Sequence, residues 1–401
     1  MIAVEEADRI IFSHLKDFGK ERITFGDALG RVLAEDLLAD RDLPPYNRVS
    51  MDGIAIRYNV FEKGIRSFTI MATQAAGDTP REITEEEQCI EIMTGAALPP
   101  TTDTVIRYED VLISNGRAVI QVENVLRGQN IHVQGSDKAS GATLAAANQK
   151  ITPALISLAA SVGASSLVVK KRPEIVVIST GDELVRVHET PTPYQIRQSN
   201  NHTIRAALQQ HAFQADLLHI PDNPSVIHQQ LQRCLQAYQV IILSGGISMG
   251  KFDYIPQTLE DLSVNKHFHK VKQRPGKPFW FGTHAAGAVV FALPGNPVST
   301  FMCLHRYVLP WLQAASCIKA RPLYAMLEEP VSFTPDLQYF LQVQLNSSNK
   351  GTIVATAVAG NGSGDFSSLL QADAFMELPA HQSTFSAGDV YRVWPFVPGL
   401  F

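Results

Sequence analysis

The sequence predicts a multidomain α/β protein: a doubly wound parallel-sheet domain, preceded by a β-rich N-terminal module and followed by a small C-terminal β-barrel. Three observations carry that expectation. Beyond Pro173, short apolar β-branched runs alternate with turns and helical stretches, the pattern of a parallel sheet covered on both faces. Before Pro173, strand-like pieces such as TVIRYEDVLI and AVIQVENV are broken by turns. From about Pro322 to Phe401, short strands and turns return with little helix, as in a small barrel or sandwich. At 401 residues the chain is too long for one core. The boundaries read as 1–43 for the helical and linker part of a first domain, 44–137 for the β-rich module, 138–172 for the return segment of the first domain, 173–315 for the α/β domain and 316–401 for the barrel.

Taken in order, the N-terminus places Val4, Ala7, Ile11, Leu15 and Phe18 on one helical face closed by Gly19. Its acids stand where a signal peptide needs a basic flank, so it reads as an amphipathic helix. The uncharged stretch Ile151 to Val169 could pass for a membrane span, but Thr152-Pro153 looks like a cap and first turn and Gly163 like a helix end. A helix and then a strand are expected there.

In the α/β region the strand and loop pairs are EIVVIST with GDEL, QADLLHI with PDNP and a helix near Val226 to Ala237, QVIILS with GGISMG, and AAGAVVFAL with PGNP. Ligands of such sheets sit beyond the carboxyl ends of the strands. This makes neighbours of Thr180 to Glu183; Asp222; Ser244, Gly245, Gly246, Ser248, Gly250 and Asp253; and Pro294, Gly295, Asn296 and Pro297. Pro297 suits the first turn of a helix, Asn296 its cap, and Gly295 a close approach by a ligand or another backbone. Glycines and helix starts offer N–H groups to phosphate, and the carboxylates offer hard oxygens to Mg²⁺. Each loop alone is equally a capped turn; Asp182 or Asp222 needs no more than a helix to cap. Four such loops at one edge favour a phosphate and magnesium site.

Lys270, Lys272, Arg274 and Lys277 in HKVKQRPGKP add positive charge beside that edge, with the Pro-Gly-Lys-Pro turn fixing the chain. His267 and His269 alternate along one strand face without a third ligand, which does not point to a metal. The 34 basic and 39 acidic residues leave a net charge of −5, so no global attraction to nucleic acid or to a membrane surface is expected. The four scattered cysteines fit a reducing cytoplasm.

Two earlier stretches, PPYNRVSMDGIAIR and IMTGAALPPTTDTVIRYED, together with GQNIHVQGSD, STGDELV, LSGGISMGKFDY, RPGKP and LPGNPVS, resemble the MoeA family of molybdopterin molybdenumtransferases, related to the gephyrin E domain. The resemblance runs over nearly the whole chain in family order. It implies Mg²⁺-dependent hydrolysis of adenylylated molybdopterin and placement of molybdate on the dithiolene, the last step of molybdenum cofactor synthesis. It implies a cytoplasmic homodimer with a site shared between subunits, with a molybdopterin adenylyltransferase and molybdoenzymes or their chaperones as further partners. By motif position it carries over polar roles to Asp52, Thr94, Asp137, Glu183, Asp222 and Asp253, the last two as metal ligands. Cofactor-binding roles pass to Gly245, Gly246, Ser248, Gly250, Lys270, Arg274, Lys277, Pro294, Gly295, Asn296, Pro297 and Ser363, the last by a molybdate pocket. Where the family has arginine and glutamate in its GQNI motif, this chain has His132 and Ser136; a further family arginine is missing near Leu341, and Ile54 replaces a tyrosine. A non-catalytic scaffold and a molybdopterin adenylyltransferase are the competing functions. Survival of the polar positions argues against the first, and the extra terminal modules argue against the second.

Overall fold

The computed structural model describes residues 1–247, 254–319 and 321–397. They divide into two compact units, Arg22–Val169 and the remainder, which joins Met1–Glu21 to Lys170–Phe401. Helix α1 (Val4–Ser13) buries Val4, Ala7 and Ile11 as its periodicity requires, but it stops short of Phe18. Ser13 Oγ turns back to Ile10 O and competes for the helix's last carbonyls, and Leu15 beyond it is exposed.

In the first of the two units the β-rich module forms one six-stranded sheet of β1 (Gly53–Ile56), β2 (Ser67–Gln74), β3 (Gln88–Ile92), β4 (Thr104–Arg107), β5 (Val111–Ser114) and β6 (Arg117–Ile120), in the order β4-β1-β3-β2-β6-β5. The run TVIRYEDVLI is therefore two strands. A 3₁₀ turn, Tyr108–Asp110, separates them, held by Arg107 Nε on Asp110 Oδ2 at 2.6 Å and by Tyr108 N on Asp52 O at 3.1 Å. Gly53 is required where β1 crosses closest to β4, because a Cβ there would overlap Ile106 O. Helix α2 (Pro153–Ser161) starts with Thr152 accepting from Leu155 N, and the strand Ser166–Lys170 follows, as the capping signals predict.

The other unit is built on a six-stranded sheet of β7 (Ile175–Thr180), β8 (Asp216–Ile220), β9 (Val240–Ser244), β10 (Val264–His269), β11 (Trp280–His284) and β12 (Val289–Leu293), in the order β8-β7-β9-β12-β11-β10. Alternate residues of its central strands enter two separate cores: Val177, Ile242 and Phe291 on one face, Val176, Ile241 and Val290 on the other. Both faces are thus dry, which is why these strands are apolar throughout. The first four strands are parallel, but β11 and β10 continue the sheet antiparallel, so the HFH histidines lie on an antiparallel edge strand. In the parallel register Thr180 stands opposite Ile220, Ser179 opposite Ser244, and Ser244 opposite Leu293. The loops that follow therefore leave the sheet at one edge, as expected.

Helix α3 (Pro297–Cys303) follows β12 and runs through a π turn, Leu304–Val308, into α4 (Leu309–Ala315). The final strands, β13 (Leu323–Leu327), β14 (Gln338–Ser347), β15 (Ile353–Ala357), β16 (Ala374–Leu378) and β17 (Val390–Pro395), close into a barrel in the order β14-β15-β13-β17-β16 with β16 pairing back to β14. Two ties fix the barrel on the sheet domain. Gln273–Arg274 pairs in parallel with β14. Arg306, buried in the π turn, joins Asp8 of α1 at 2.6 Å and Glu377 of β16 at 3.1 Å. Losing one partner of such a buried ion set costs about 3–5 kcal/mol, so the tie is rigid.

Candidate functional site

The ties place the PGKP turn, the PGNP loop and the barrel loop around Ser363 against one another, and a cavity of about 500 Å³ lies among them. Arg274 and Lys277 line it, as do Pro294, Gly295, Asn296 and Ser363. No carboxylate does, among the described residues. Two cations facing a recess without an acid make it electropositive, which suits an oxyanion or a phosphate. Burial raises the pKa of the Tyr339 phenol in the wall, against the opposing pull of Arg274, so this side chain stays a neutral hydroxyl.

A smaller cavity of about 170 Å³ adjoins it and shares Gly295 and Asn296. Glu183, Gly245 and Pro297 line it. Gly245 and Gly246 both take left-handed backbone angles, φ 97° and 70°, and a Cβ on Gly246 would meet Thr180 Oγ1 and Ile255 Cγ1 at 2.9 Å. The pair of glycines is what lets the loop fold tightly over β7. Thr180 Oγ1, also in this wall, is buried without a hydrogen-bond partner among the described residues. An unpaired buried hydroxyl is costly, and a ligand in the cavity is one way to satisfy it.

The start of α3 differs from expectation. Asn296 does not cap the helix with its side chain; Nδ2 donates instead to Ser363 Oγ at 2.8 Å, and the first free helix amide, Val298 N, donates to Ser363 O at 3.1 Å. The barrel loop has taken the place a cap or an anion would fill, and it fixes Ser363 at the cavity wall.

Asp222 lines neither cavity; its backbone N–H donates to Asp182 Oδ1 at 3.0 Å, which ties the Asp182 carboxylate to the loop that follows β8. The following helix, Pro224–Ala237, is capped by Asn223, so neither aspartate serves as its cap. Lys270 and Gly246 also lie off both linings. Ser248, Gly250 and Asp253 lie outside the described residues. Among those described, no group of three or more His, Cys, Asp or Glu side chains is placed to hold a metal ion.

Asp52, Thr94 and Asp137 belong to the other unit. Thr94 N donates to Asp52 Oδ1 at 2.6 Å, and this bond holds the Asp52 carboxyl below the usual carboxylate range. His132 Nε2 meets Asp137 Oδ1 at 2.8 Å.

Three residues escaped sequence reasoning. Asn200 Nδ2 binds Gly295 O at 2.8 Å and Ser244 Oγ at 2.9 Å, stitching two site loops together. Gly276 has φ 87°, with no room for a Cβ between Cys303 Sγ and Met302 Cε, each 2.7 Å away. The third is on the barrel strand: Leu341 packs in the barrel core, and its neighbour Gln342 lines the cavity of about 500 Å³. Strand alternation held the signal for Gln342; nothing local marked Asn200.

No described helix is long and apolar enough to cross a membrane. Residues 2–163 match the family described as MoeA N-terminal region (domain I and II), residues 176–314 match the probable molybdopterin binding domain, and residues 324–396 match the MoeA C-terminal region (domain IV). A molybdopterin molybdenumtransferase of Synechocystis is 39% identical over 98% of this chain and 99% of its own length. One from Bacillus subtilis is 29% identical over 98% of this chain and 93% of its own. The crystal structure of a molybdopterin biosynthesis MoeA protein from Pyrococcus horikoshii superposes with a TM-score of 0.85 at 26% identity, covering 99% of both chains. With likeness in sequence and fold over essentially the whole length, the chain belongs to the MoeA family.

Proposed function

We propose that the chain is a molybdopterin molybdenumtransferase of molybdenum cofactor biosynthesis, taking adenylylated molybdopterin and molybdate as substrates. One observation carries the reading: the acid-free cavity with Arg274 and Lys277 in its wall, between the PGKP and PGNP loops and Ser363. Molybdate and the pyrophosphate linkage are both oxyanions, and cations with aligned hydrogen-bond donors recognise them. In this reading Arg274 and Lys277 hold the anionic groups and Ser363, oriented by Asn296, offers a hydroxyl to molybdate. Gly245 and Gly295 bring backbone close to the pterin phosphate. Glu183 in the adjoining cavity is placed to orient a water molecule.

Mg²⁺ belongs to the proposal. Asp222 and Asp253 are the ligands that the resemblance implies, hard oxygen donors of the kind Mg²⁺ takes, and Asp182 adds a third carboxylate on the neighbouring loop, its Oδ1 accepting the Asp222 N–H. Bound there, the ion would supply charge neutralisation to the phosphoryl oxygens. A homodimer whose second subunit contributes Asp52 and Thr94, and a cytoplasmic location, complete the reading. The test is to incubate the purified protein with adenylylated molybdopterin, Mg²⁺ and molybdate, following AMP release and cofactor formation. Both products are expected; neither would leave a binding protein without turnover.

A further inference from the structure

The position where the GQNI motif departs from the family pattern is built into a three-residue chain. Arg48–Val49 and Ile131–His132 pair as a short antiparallel ladder with His132 directly opposite Arg48. Arg48 Nη2 lies 3.1 Å from His132 Nδ1, and His132 Nε2 lies 2.8 Å from Asp137 Oδ1. A guanidinium is only a donor, so Nδ1 must accept. The imidazole proton is then on Nε2, from which it donates to the carboxylate, and the ring is neutral with a defined tautomer.

We propose that Arg48 and His132 are positioning residues for Asp137, holding its Oδ1 so that Oδ2 is presented to the reacting ligand. The Asp137 backbone is itself fixed by its N–H to Leu43 O at 2.9 Å. Oδ2 has no hydrogen-bond partner among the described residues, and the carboxylate is more than half exposed. The same strand leads directly to Asp52: Ser50 N donates to Asn130 O at 3.0 Å, and the 94–97 turn bonds to Val49 through Gly95 N at 2.8 Å and Ala96 O at 3.0 Å. The relay and the Asp52–Thr94 pair are thus one hydrogen-bonded assembly. An arginine in direct contact with Asp137 would put full positive charge on the carboxylate. The relay instead interposes a neutral imidazole, which orients the carboxylate while leaving it a stronger acceptor.

This inference rests on the reading that Asp137 works in the transferase site, and the experiment separates the two. Asp137→Asn, His132→Leu, His132→Gln and Arg48→Met are compared in the full-length protein for kcat and KM of cofactor formation. Glutamine can accept from Arg48 through its oxygen and donate to Asp137 through its amide, so it preserves the relay without the ring. His132→Leu is expected to lose about ten- to hundredfold in kcat, the usual cost of removing a partner that orients a working group, with KM little changed. His132→Gln is expected to restore most of the loss. Nitrogen NMR of histidine-labelled protein should show His132 protonated at Nε2, and Arg48→Met should abolish that single tautomer. If Asp137→Asn turns over normally, Asp137 has no role and the relay has no object. If Asp137→Asn is inactive but His132→Leu matches the native enzyme, or Arg48→Met leaves the tautomer unchanged, the positioning role is overturned while the transferase reading stands.

Discussion

Replacing Gly295 with alanine separates a loop that only turns the chain from one that admits a ligand. Gly295 lies outside the left-handed backbone region, and the nearest atom to an added Cβ is Gly245 Cα at 3.6 Å, an ordinary contact. The folded state therefore has no strain to gain, and the unfolded chain loses freedom worth about 0.4–1 kcal/mol, so stability should hold or rise slightly. Gly276→Ala is the contrasting case. Its φ of 87° disfavours a side chain, and its Cβ would press on Cys303 Sγ and Met302 Cε at 2.7 Å. Left-handed strain of about 1–2 kcal/mol and overpacking of about 1–3 kcal/mol add to roughly 3 kcal/mol, or about 4 °C in Tm for a protein of this size. The Gly295 methyl, by contrast, sits where the two cavities meet. Molybdopterin affinity in Gly295→Ala should fall at least about tenfold, equivalent to about 1.4 kcal/mol. Thermal melts of both variants and a molybdopterin titration of Gly295→Ala decide the matter. A Gly295→Ala protein that binds molybdopterin as tightly as the native one would refute the reasoning and leave PGNP a turn, and one that melts as low as Gly276→Ala would refute the absence of strain.

The remaining predictions concern pH, assembly and metal. His305 donates its Nδ1–H to Phe301 O at 2.9 Å, and burial pushes its pKa down to about 4. The unfolded chain, with an ordinary histidine, binds the proton first as pH falls. Unfolding free energy should therefore decline between about pH 6.5 and pH 4, by up to about 3 kcal/mol, and His305→Phe should flatten that decline in pH-dependent denaturation curves. An unchanged slope in His305→Phe would remove His305 as the cause. Mixing Asp52→Ala with Lys277→Ala protein should regain turnover through heterodimers that carry one intact site; continued inactivity after confirmed subunit exchange would sink the shared site. Chelation should stop hydrolysis and Mg²⁺ restore it, with Asp222→Asn raising the Mg²⁺ concentration needed; full turnover in excess chelator would exclude the ion.

What was legible in the sequence, and what was not, follows from the range of the interactions involved. The parallel core strands were readable because a strand buried on both faces must be apolar at every residue, as in VVFAL and VIIL, and the loops after them had to emerge together once the strands ran in register. The end of α1 and the break in TVIRYEDVLI were not, because Ser13 and Asp110 act through single side-chain bonds that hydrophobic period does not record. The cap expected of Asn296 failed for a different reason. Capping is a local rule, and here a distant segment won: Ser363, brought over by a closed barrel, took both the Asn296 amide and the Val298 N–H. The same displacement shapes the cavity: with the barrel loop at the helix start itself, the positive groups left in the wall are the Arg274 and Lys277 side chains and not helix amides. Those cations are held there by the pairing of Gln273–Arg274 with β14 and by the tight Gly276 turn, neither of which a sequence window contains.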